Sequence, residues 1–232
     1  MKKNYLNISD YRYERKFIIT ELSKYEVECI VKIHPAIFSE IYKKRFVNNI
    51  YFDSYNLINF RENIEGATDR IKVRIRWYGD LFGYIEEPVL EIKIKKEFLN
   101  KKISIPVKPF ILKKDTEISD ILNSFTDLQD SLVIDFNSLK PSLLNQYSRK
   151  YYQSCHGHYR ITIDTDQSFY QVNKQNNFFL NRTTDKNTVI LELKYAKEYD
   201  SEANHITTKF PFRITKSSKY ISGVEKVLQV TF

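Results

Sequence analysis

Charged and apolar residues alternate along several segments of the chain. The most regular segment is residues 70–77, in which Arg70, Lys72, Arg74 and Arg76 alternate with apolar residues. Since successive side chains of a β-strand point to opposite faces of a sheet, this spacing predicts a strand with one cationic and one apolar face. The same argument predicts strands at residues 11–20, 46–52, 71–77, 89–95, 101–107, 146–152, 159–165 and 189–195.

Apolar residues at helical spacing predict helices between and after these strands. The predicted helices cover residues 21–32, 54–65, 115–125, 137–144 and 217–228. Asp53 offers an N-cap for the second of these helices, and Gly66 offers a C-terminal stop. A hairpin is predicted at residues 78–88, and the polar segment 171–187 is interpreted as a loop.

The row of four cations on one strand face distinguishes this sheet from an ordinary solvated one. A half-exposed antiparallel sheet also alternates, but its polar face usually mixes hydroxyls, amides and both charge signs. Same-face neighbours lie roughly 7 Å apart, close enough for like charges to repel measurably. The row therefore predicts an anionic ligand over the cationic face, while helices cover the apolar face.

These features predict an α+β protein built on a closed antiparallel β-barrel of about eight strands, with helices packed outside. Closure would remove free strand edges and make the charged face the lining of a tunnel. A lumen with many cations and a few carboxylates suits a polyanion together with a divalent metal. The length of 232 residues predicts one domain over residues 1–232, in which residues 1–9 form a flexible leader.

The composition narrows the classes of partner and location. The formal net charge of +8 favours an anionic partner. Nucleic acid is not expected, because a sheet that binds single strands usually exposes aromatics among its cations, and here the aromatics alternate away from them. With two cysteines, no apolar signal segment and no membrane-spanning run, the chain is expected to be cytoplasmic. Any membrane attachment would then come from a separate membrane protein.

Five short motifs occur in an order that is found in a known family. The motifs are Tyr13–Phe17 (YERKF), Arg74–Gly79 (RIRWYG), Leu90–Lys93 (LEIK), Leu191–Tyr195 (LELKY) and Ser218–Gly223 (SKYISG). Together they resemble the VTC domain, the catalytic domain of the vacuolar transporter chaperone polyphosphate polymerase. That domain is a member of the triphosphate tunnel metalloenzyme (CYTH-like) superfamily. Each motif is weak alone, but the ordered set extends over nearly the whole chain.

The resemblance implies a function, a cofactor and a set of site residues. Polymerase members transfer the γ-phosphate of ATP to a growing polyphosphate chain with Mn²⁺ or Mg²⁺, and other superfamily members hydrolyse triphosphates or cyclise ATP. By position, the implied catalytic residues are Lys16, Arg74, Arg76, Lys93, Arg149, Arg160 and Lys219. The implied substrate contacts are Lys102, Tyr147 and Ser218, and the implied metal ligand is Glu192.

Four further residues join this set through their place on the charged face. Lys72 is expected to bind substrate with the rest of its row. Lys194 either binds phosphate or neutralises Glu192, and Glu14 is either a second metal ligand or a salt-bridge partner. Glu91 is interpreted as a salt-bridge partner of the neighbouring cations.

The first strand departs from the pattern of the superfamily hydrolases. Those enzymes typically begin with Glu-x-Glu-x-Lys, whereas the corresponding residues here are Arg12, Glu14 and Lys16. The replacement of one carboxylate by arginine favours a polymerase-like phosphotransferase acting on ATP and polyphosphate or tripolyphosphate. The alternatives are a metal-dependent inorganic or nucleoside triphosphatase and a non-catalytic polyphosphate sensor.

Overall fold

A computed structural model describes residues 12–96, 99–113, 116, 118–123, 134–172 and 182–228. The leader predicted at residues 1–9 lies outside the described residues, as do residues 173–181 of the predicted loop. Within the described part of the chain, no helix is both long enough and apolar enough to span a membrane.

Long strands make up most of the described chain. The strands are β1 (Arg12–Ile19), β2 (Ser39–Ser54), β3 (Arg70–Tyr78), β4 (Gly83–Ile85), β5 (Val89–Lys96), β6 (Leu99–Pro106), β7 (Phe110–Leu112), β8 (Leu139–Gln153), β9 (Tyr159–Gln171), β10 (Arg182–Asp185) and β11 (Val189–Ala196). The α-helices of the described residues are α1 (Lys24–Lys32), α2 (Ile58–Glu65), α3 (Ile118–Asn123), α4 (Asp200–Thr207) and α5 (Lys219–Leu228).

Nine of the strands form one antiparallel sheet. Along this sheet the order is β1-β11-β9-β8-β2-β3-β5-β6, and β10 pairs with β9 beside this path. Strands β4 and β7 form a separate two-stranded sheet. Among the described residues, no backbone pairing joins the edge strands β1 and β6. The prediction of a closed barrel is therefore wrong, although the α+β class and the large antiparallel sheet are confirmed.

A segment near the C-terminus covers the free edge of β1. Phe17 forms an antiparallel bridge with Ile214, and the Thr215 amide donates a 2.8 Å hydrogen bond to the Lys16 carbonyl. The Ile18 amide donates to the Thr215 hydroxyl at 3.0 Å. These contacts occupy backbone groups that a further strand would need, which explains why β6 does not pair there.

The sheet nevertheless curls so that its charged face, here called the inner face, is enclosed. The Lys16 ammonium on β1 donates to the Ser217 carbonyl at 3.1 Å, and the Lys72 ammonium on β3 donates to the Ser218 hydroxyl at 3.1 Å. In a flat sheet with this strand order, β1 and β3 would lie about 24 Å apart. Since two adjacent serines contact lysines from both strands, β1 and β3 must face each other.

Helices α1, α3 and α4 cover the opposite, apolar face. Val27 of α1 and Ala203 of α4 share a buried cluster with Phe17 of β1. Ile118 of α3 belongs to a second buried cluster with Trp77 of β3. The predicted packing of helices on the apolar face is confirmed for α1 and α3, whereas α4 was not predicted from the sequence.

Helix α5 packs on the inner face instead. Its Tyr220 belongs to a buried cluster that includes Tyr51 and Leu143. The Tyr51 hydroxyl accepts a 3.2 Å hydrogen bond from Arg74, and Leu143 lies on the same face of β8 as Arg149 by the two-residue period of a strand. The prediction that the helices pack outside is therefore wrong for α5, which covers one end of the inner face.

Two other assignments made from the sequence differ from the structure. The helix predicted at residues 137–144 is wrong, because a 3-10 turn at Phe136–Ser138 leads directly into β8, which pairs with β2. Pro141 lacks the amide that a helix interior requires, so the sequence did carry a signal against that helix. Part of the predicted loop, Arg182–Asp185, forms strand β10. The remaining predicted elements are found with shifted ends.

Candidate anion-binding site

Glu91 on β5 gathers three of the predicted cations into one group, here called the Glu91 cluster. Its Oε2 lies 2.5 Å from Arg74 Nη2 and 3.6 Å from Arg76 Nη1, and its Oε1 lies 2.7 Å from Lys102 Nζ. Burial would raise the pKa of Glu91, but these cations hold it far below its usual value. The side chains of Arg74 and Arg76 are only 15% and 12% exposed, so neither faces bulk solvent. Glu91 is thus confirmed as a salt-bridge partner.

Asp164 on β9 organises a second group, here called the Asp164 cluster. Arg149 donates from Nε to Oδ1 at 2.5 Å and from Nη2 to Oδ2 at 2.6 Å, and Lys219 Nζ lies 2.5 Å from Oδ2. Glu192 takes longer contacts with the same cations, at 3.4 Å from Arg149 and 3.6 Å from Lys219. Burial would raise the pKa of Asp164, but Arg149 and Lys219 hold it below its usual value.

Two lysines, Lys16 and Lys194, each contact both Glu192 and Glu14. Lys16 Nζ lies 2.8 Å from Glu14 and 3.7 Å from Glu192, while Lys194 Nζ lies 2.8 Å from Glu192 and 3.7 Å from Glu14. Burial would raise the pKa of both carboxyl groups, but the surrounding cations hold both below their usual values. Both side chains are therefore ionised at neutral pH, and Lys194 neutralises Glu192, which is one of the two roles predicted for it.

The chemistry of the Glu14–Glu192 pair fits a hard divalent cation. Mg²⁺ is usually bound through one or two carboxylates, with substrate phosphates and water completing its shell. In the described part of the chain, no group of three or more His, Cys, Asp or Glu side chains could hold a metal ion. The protein would thus offer these two ionised carboxylates, and Lys16 and Lys194 would have to yield part of their contacts with them.

Lys72 and Lys93 are inner-face lysines that have no carboxylate within salt-bridge distance among the described residues. They are direct neighbours across β3 and β5. Loss of hydration, together with the nearby charges of Lys16 and Lys93, lowers the pKa of Lys72 to about 7. The Lys93 side chain remains exposed to solvent, but partial loss of hydration and the charge of Arg74 lower its pKa to about 7, although Glu14 acts in the opposite direction. Both positions therefore offer a positive charge that no described carboxylate pairs with directly.

Tyr147 connects the two clusters. Its hydroxyl accepts a 3.3 Å hydrogen bond from Arg76, and its ring centroid lies 5.2 Å from Arg149 Cζ and 4.8 Å from Lys219 Nζ. Burial would raise the pKa of Tyr147, but Arg149 and Arg76 lower it below its usual value. Cations from three elements therefore converge on one buried ring.

A buried hydrogen bond fixes the start of α5 at this site. The Tyr220 hydroxyl donates to Asp53 Oδ2 at 2.5 Å, and the same oxygen accepts from the Phe60 amide at 2.9 Å. The N-cap of α2 is Leu57, so the prediction of Asp53 as N-cap is wrong. Asp53 nevertheless accepts from amides in the first turn of α2 and also holds α5. This attachment places Ser218 beside Lys72 and Lys219 in the Asp164 cluster.

Two residues show where the sequence argument was incomplete. Arg160 was predicted as a site residue, but it is exposed, lies opposite Lys194 in the sheet register, and has no ion pair with any described residue. Asp164 was not assigned a role, although it is the most buried carboxylate of the inner face. The sequence could have indicated a role for Asp164, because Asp164 lies on the same charged face of β9 as Arg160. The other predicted site residues lie in or beside the two clusters.

The fold and the site together define a class of protein. It is a class of protein in which a curled antiparallel sheet carries clustered cations and carboxylates on its inner face, an arrangement suited to an anionic ligand. A family model of the VTC domain matches residues 11–228, so the chain belongs to the VTC domain family. The resemblance inferred from the five motifs is confirmed. No curated protein matches the chain by sequence.

Solved structures share the fold at low sequence identity. A proposed adenylate cyclase from Bacillus halodurans is 14% identical with a TM-score of 0.56, covering 92% of this chain and 96% of its own. A protein from Pyrococcus horikoshii is 15% identical with a TM-score of 0.51, covering 91% of this chain and 96% of its own. A proposed adenylate cyclase from Vibrio parahaemolyticus is 9% identical with a TM-score of 0.51, covering 92% of this chain and 98% of its own. At such identities the likeness concerns the fold alone.

Proposed function

We propose that this chain is a metal-dependent phosphotransferase of the polyphosphate polymerase type. It would transfer the γ-phosphate of ATP to a growing polyphosphate chain on the enclosed inner face. The observation that carries this proposal is the surplus of positive charge on the curled inner face, to which the half-buried Lys72 and the exposed Lys93 contribute. Membership of the VTC domain family supports triphosphate or polyphosphate as the anion.

The surplus charge favours a polyanion over a single small anion. Among the described residues, the ion pairs of the inner face join seven cations to only four carboxylates, so the paired groups already carry a net charge of +3. Lys72 and Lys93 add to that surplus and lie next to the arginines of the Glu91 cluster. A chain of phosphates can follow such a row from strand to strand and supply a charge at each position.

Phosphoryl transfer depends mainly on alignment and on neutralisation of the charge that develops on the transferred group. Arg76, Arg149 and Lys219 converge around Tyr147 and would hold phosphate oxygens from three directions. Glu14 and Glu192 would hold a divalent cation, which would neutralise part of the charge of the phosphates when bound. The acceptor in this reaction is a phosphate oxygen that is already ionised, so no strong general base is required.

The substitution of arginine for the first carboxylate of Glu-x-Glu-x-Lys favours polymerase over triphosphatase. The test is to incubate the purified protein with ATP and Mn²⁺ or Mg²⁺ and to separate long polyphosphate from orthophosphate. Long polyphosphate would support the proposal. Orthophosphate alone would indicate a triphosphatase, and tight binding without turnover would indicate a sensor.

A further inference from the structure

Three tyrosines surround one arginine beside the Asp164 cluster, and this group is here called the tyrosine–arginine cluster. Its members are Tyr42, Arg45, Tyr78 and Tyr151. Arg45 Cζ lies 5.1 Å from the ring centroid of Tyr42, and 4.8 Å from those of Tyr78 and Tyr151. The rings of Tyr42 and Tyr151 meet edge to face at 5.6 Å. Neither the two ion-pair clusters nor the proposed chemistry uses these residues.

The cluster continues the rows of inner-face cations. Arg45 is the direct neighbour of Arg149 across β2 and β8. Tyr78 follows Arg76 by two residues on β3, and Tyr151 follows Arg149 by two residues on β8, so each ring lies on the face of its cation. A molecule lying along the inner face would meet the cluster directly beyond Arg76 and Arg149.

The tyrosine–arginine cluster has exposed ring surface and one unpaired positive charge that a ligand could contact. Tyr42 is 50% exposed and Tyr78 is 49% exposed, so each ring is open to solvent over about half its area. Arg45 makes no ion pair with any carboxylate in the described part of the chain. Its Nε and the hydroxyl of Tyr151 are buried without a hydrogen-bond partner there. A cluster that served packing alone would be expected to bury these rings and neutralise this charge.

Building on the proposed function, we infer that the tyrosine–arginine cluster binds the nucleoside end of a nucleoside triphosphate. The base stacks on the open ring of Tyr78 or Tyr42, and Arg45 faces the phosphate nearest the ribose. A base on Tyr78 places the first phosphates near Arg76, about 7 Å along the strand, and the chain continues toward Arg74 and Lys72. Since every base has a π-face, stacking of this kind discriminates weakly between bases.

The test compares two ligands that share a triphosphate and differ in the nucleoside. Affinities for ATP and for inorganic tripolyphosphate are measured by calorimetry in chelator, for the wild-type protein and for the double variant Tyr42→Ala, Tyr78→Ala. The affinity for ATP is expected to fall about tenfold, while the affinity for tripolyphosphate stays within about twofold. The variant Tyr42→Phe, Tyr78→Phe keeps the rings and is expected to bind ATP as the wild type does.

Tyr84→Ala is the matched control, because Tyr84 is 66% exposed and lies in the separate two-stranded sheet. It should leave both affinities unchanged. An unchanged ATP affinity in the double alanine variant would overturn the inference, as would an equal loss for both ligands. In either case tripolyphosphate binding by the wild type would leave the proposed function standing. A wild-type protein that binds neither ligand would overturn the proposed function and this inference with it.

Discussion

Lys72 and Lys93 are direct neighbours across β3 and β5, and neither has a carboxylate within salt-bridge distance among the described residues. Lys102 and Lys219 of the same face are paired instead, with Glu91 and Asp164. Lys72 and Lys93 are therefore unpaired positive charges whose protonation changes near neutral pH.

Binding of tripolyphosphate in chelator should weaken as the pH rises from about 6.5 to 9. Both lysines have a pKa of about 7 in the free protein, and a bound anion raises it, so binding above pH 7 takes up protons. Affinity should fall by up to about tenfold per pH unit for each proton taken up. Deprotonation of the ligand acts in the opposite direction, so an observed fall is attributable to the protein.

The matched variant for this pH dependence is Lys72→Arg with Lys93→Arg. Arginine keeps its charge over the whole range, so the profile should become flat while binding persists. Calorimetry in buffers of different ionisation enthalpy would count the protons directly. A wild-type affinity that is constant or rises with pH would contradict the assignment of these two lysines to the ligand.

Removal of two arginines from the Glu91 cluster should weaken anion binding without unfolding the protein. Arg74→Ala with Arg76→Ala leaves Glu91 paired with Lys102 at 2.7 Å, so no carboxylate is left without a cation. Charge-assisted hydrogen bonds contribute about 1.5–3 kcal/mol each, and tripolyphosphate affinity should fall at least about tenfold. The wild-type affinity should also decrease with added salt.

The control for this pair is Arg61→Ala with Arg213→Ala, which removes the same charge from exposed positions. If both double variants weaken binding equally, the effect comes from net charge and the inner face is not the binding site. An unchanged affinity in the Arg74 and Arg76 variant would lead to the same conclusion.

Glu192→Gln should abolish ATP turnover and leave metal-free binding intact or stronger. The change removes a carboxylate that we propose as a metal ligand, and it also removes a negative charge beside the polyanion. Because Glu192 is 6% exposed and contacts four cations, the variant should lose stability, by up to about 3–5 kcal/mol, and tripolyphosphate should restore part of it.

The informative measurements for Glu192→Gln are turnover with Mn²⁺ and tripolyphosphate affinity in chelator, made on the same preparation. Glu198→Gln, at an exposed position, is the control and should behave as the wild type. Full turnover in the Glu192 variant would remove this residue from the mechanism. Loss of both turnover and binding would assign it a structural role.

Tyr220→Phe should loosen the attachment of α5 and lower the affinity for tripolyphosphate, although Tyr220 itself is not proposed to contact the ligand. The substitution removes the 2.5 Å hydrogen bond to Asp53 and leaves the ring packed against Tyr51. The free energy of unfolding should fall by about 1.5–3 kcal/mol in a urea titration. Tripolyphosphate affinity should fall too, because Lys219 begins the same helix, whereas Tyr25→Phe at an exposed position should change neither. Stability that is equal to wild type would show that the hydrogen bond does not hold the helix.

The sequence determined most strands of the large sheet and its two faces, because alternation is a local property of each segment. Arg74 and Arg76 share a face with Lys72 whatever the rest of the chain does, since the period of a strand is two residues. The cationic row and the five ordered motifs were therefore sufficient to predict an anion-binding inner face and the family.

Contacts between residues far apart in the chain decided whether the sheet closes and which of its charges are paired. Whether β1 meets β6 depends on Ile214 and Thr215, which occupy the edge of β1 from about 200 residues away in sequence. The pairing of Asp164 with Lys219, and the lack of a carboxylate next to Lys93 among the described residues, follow from the curl of the sheet and the docking of α5. Charges on one face are fixed by local periodicity, but which of them are neutralised depends on distances that only the folded chain sets.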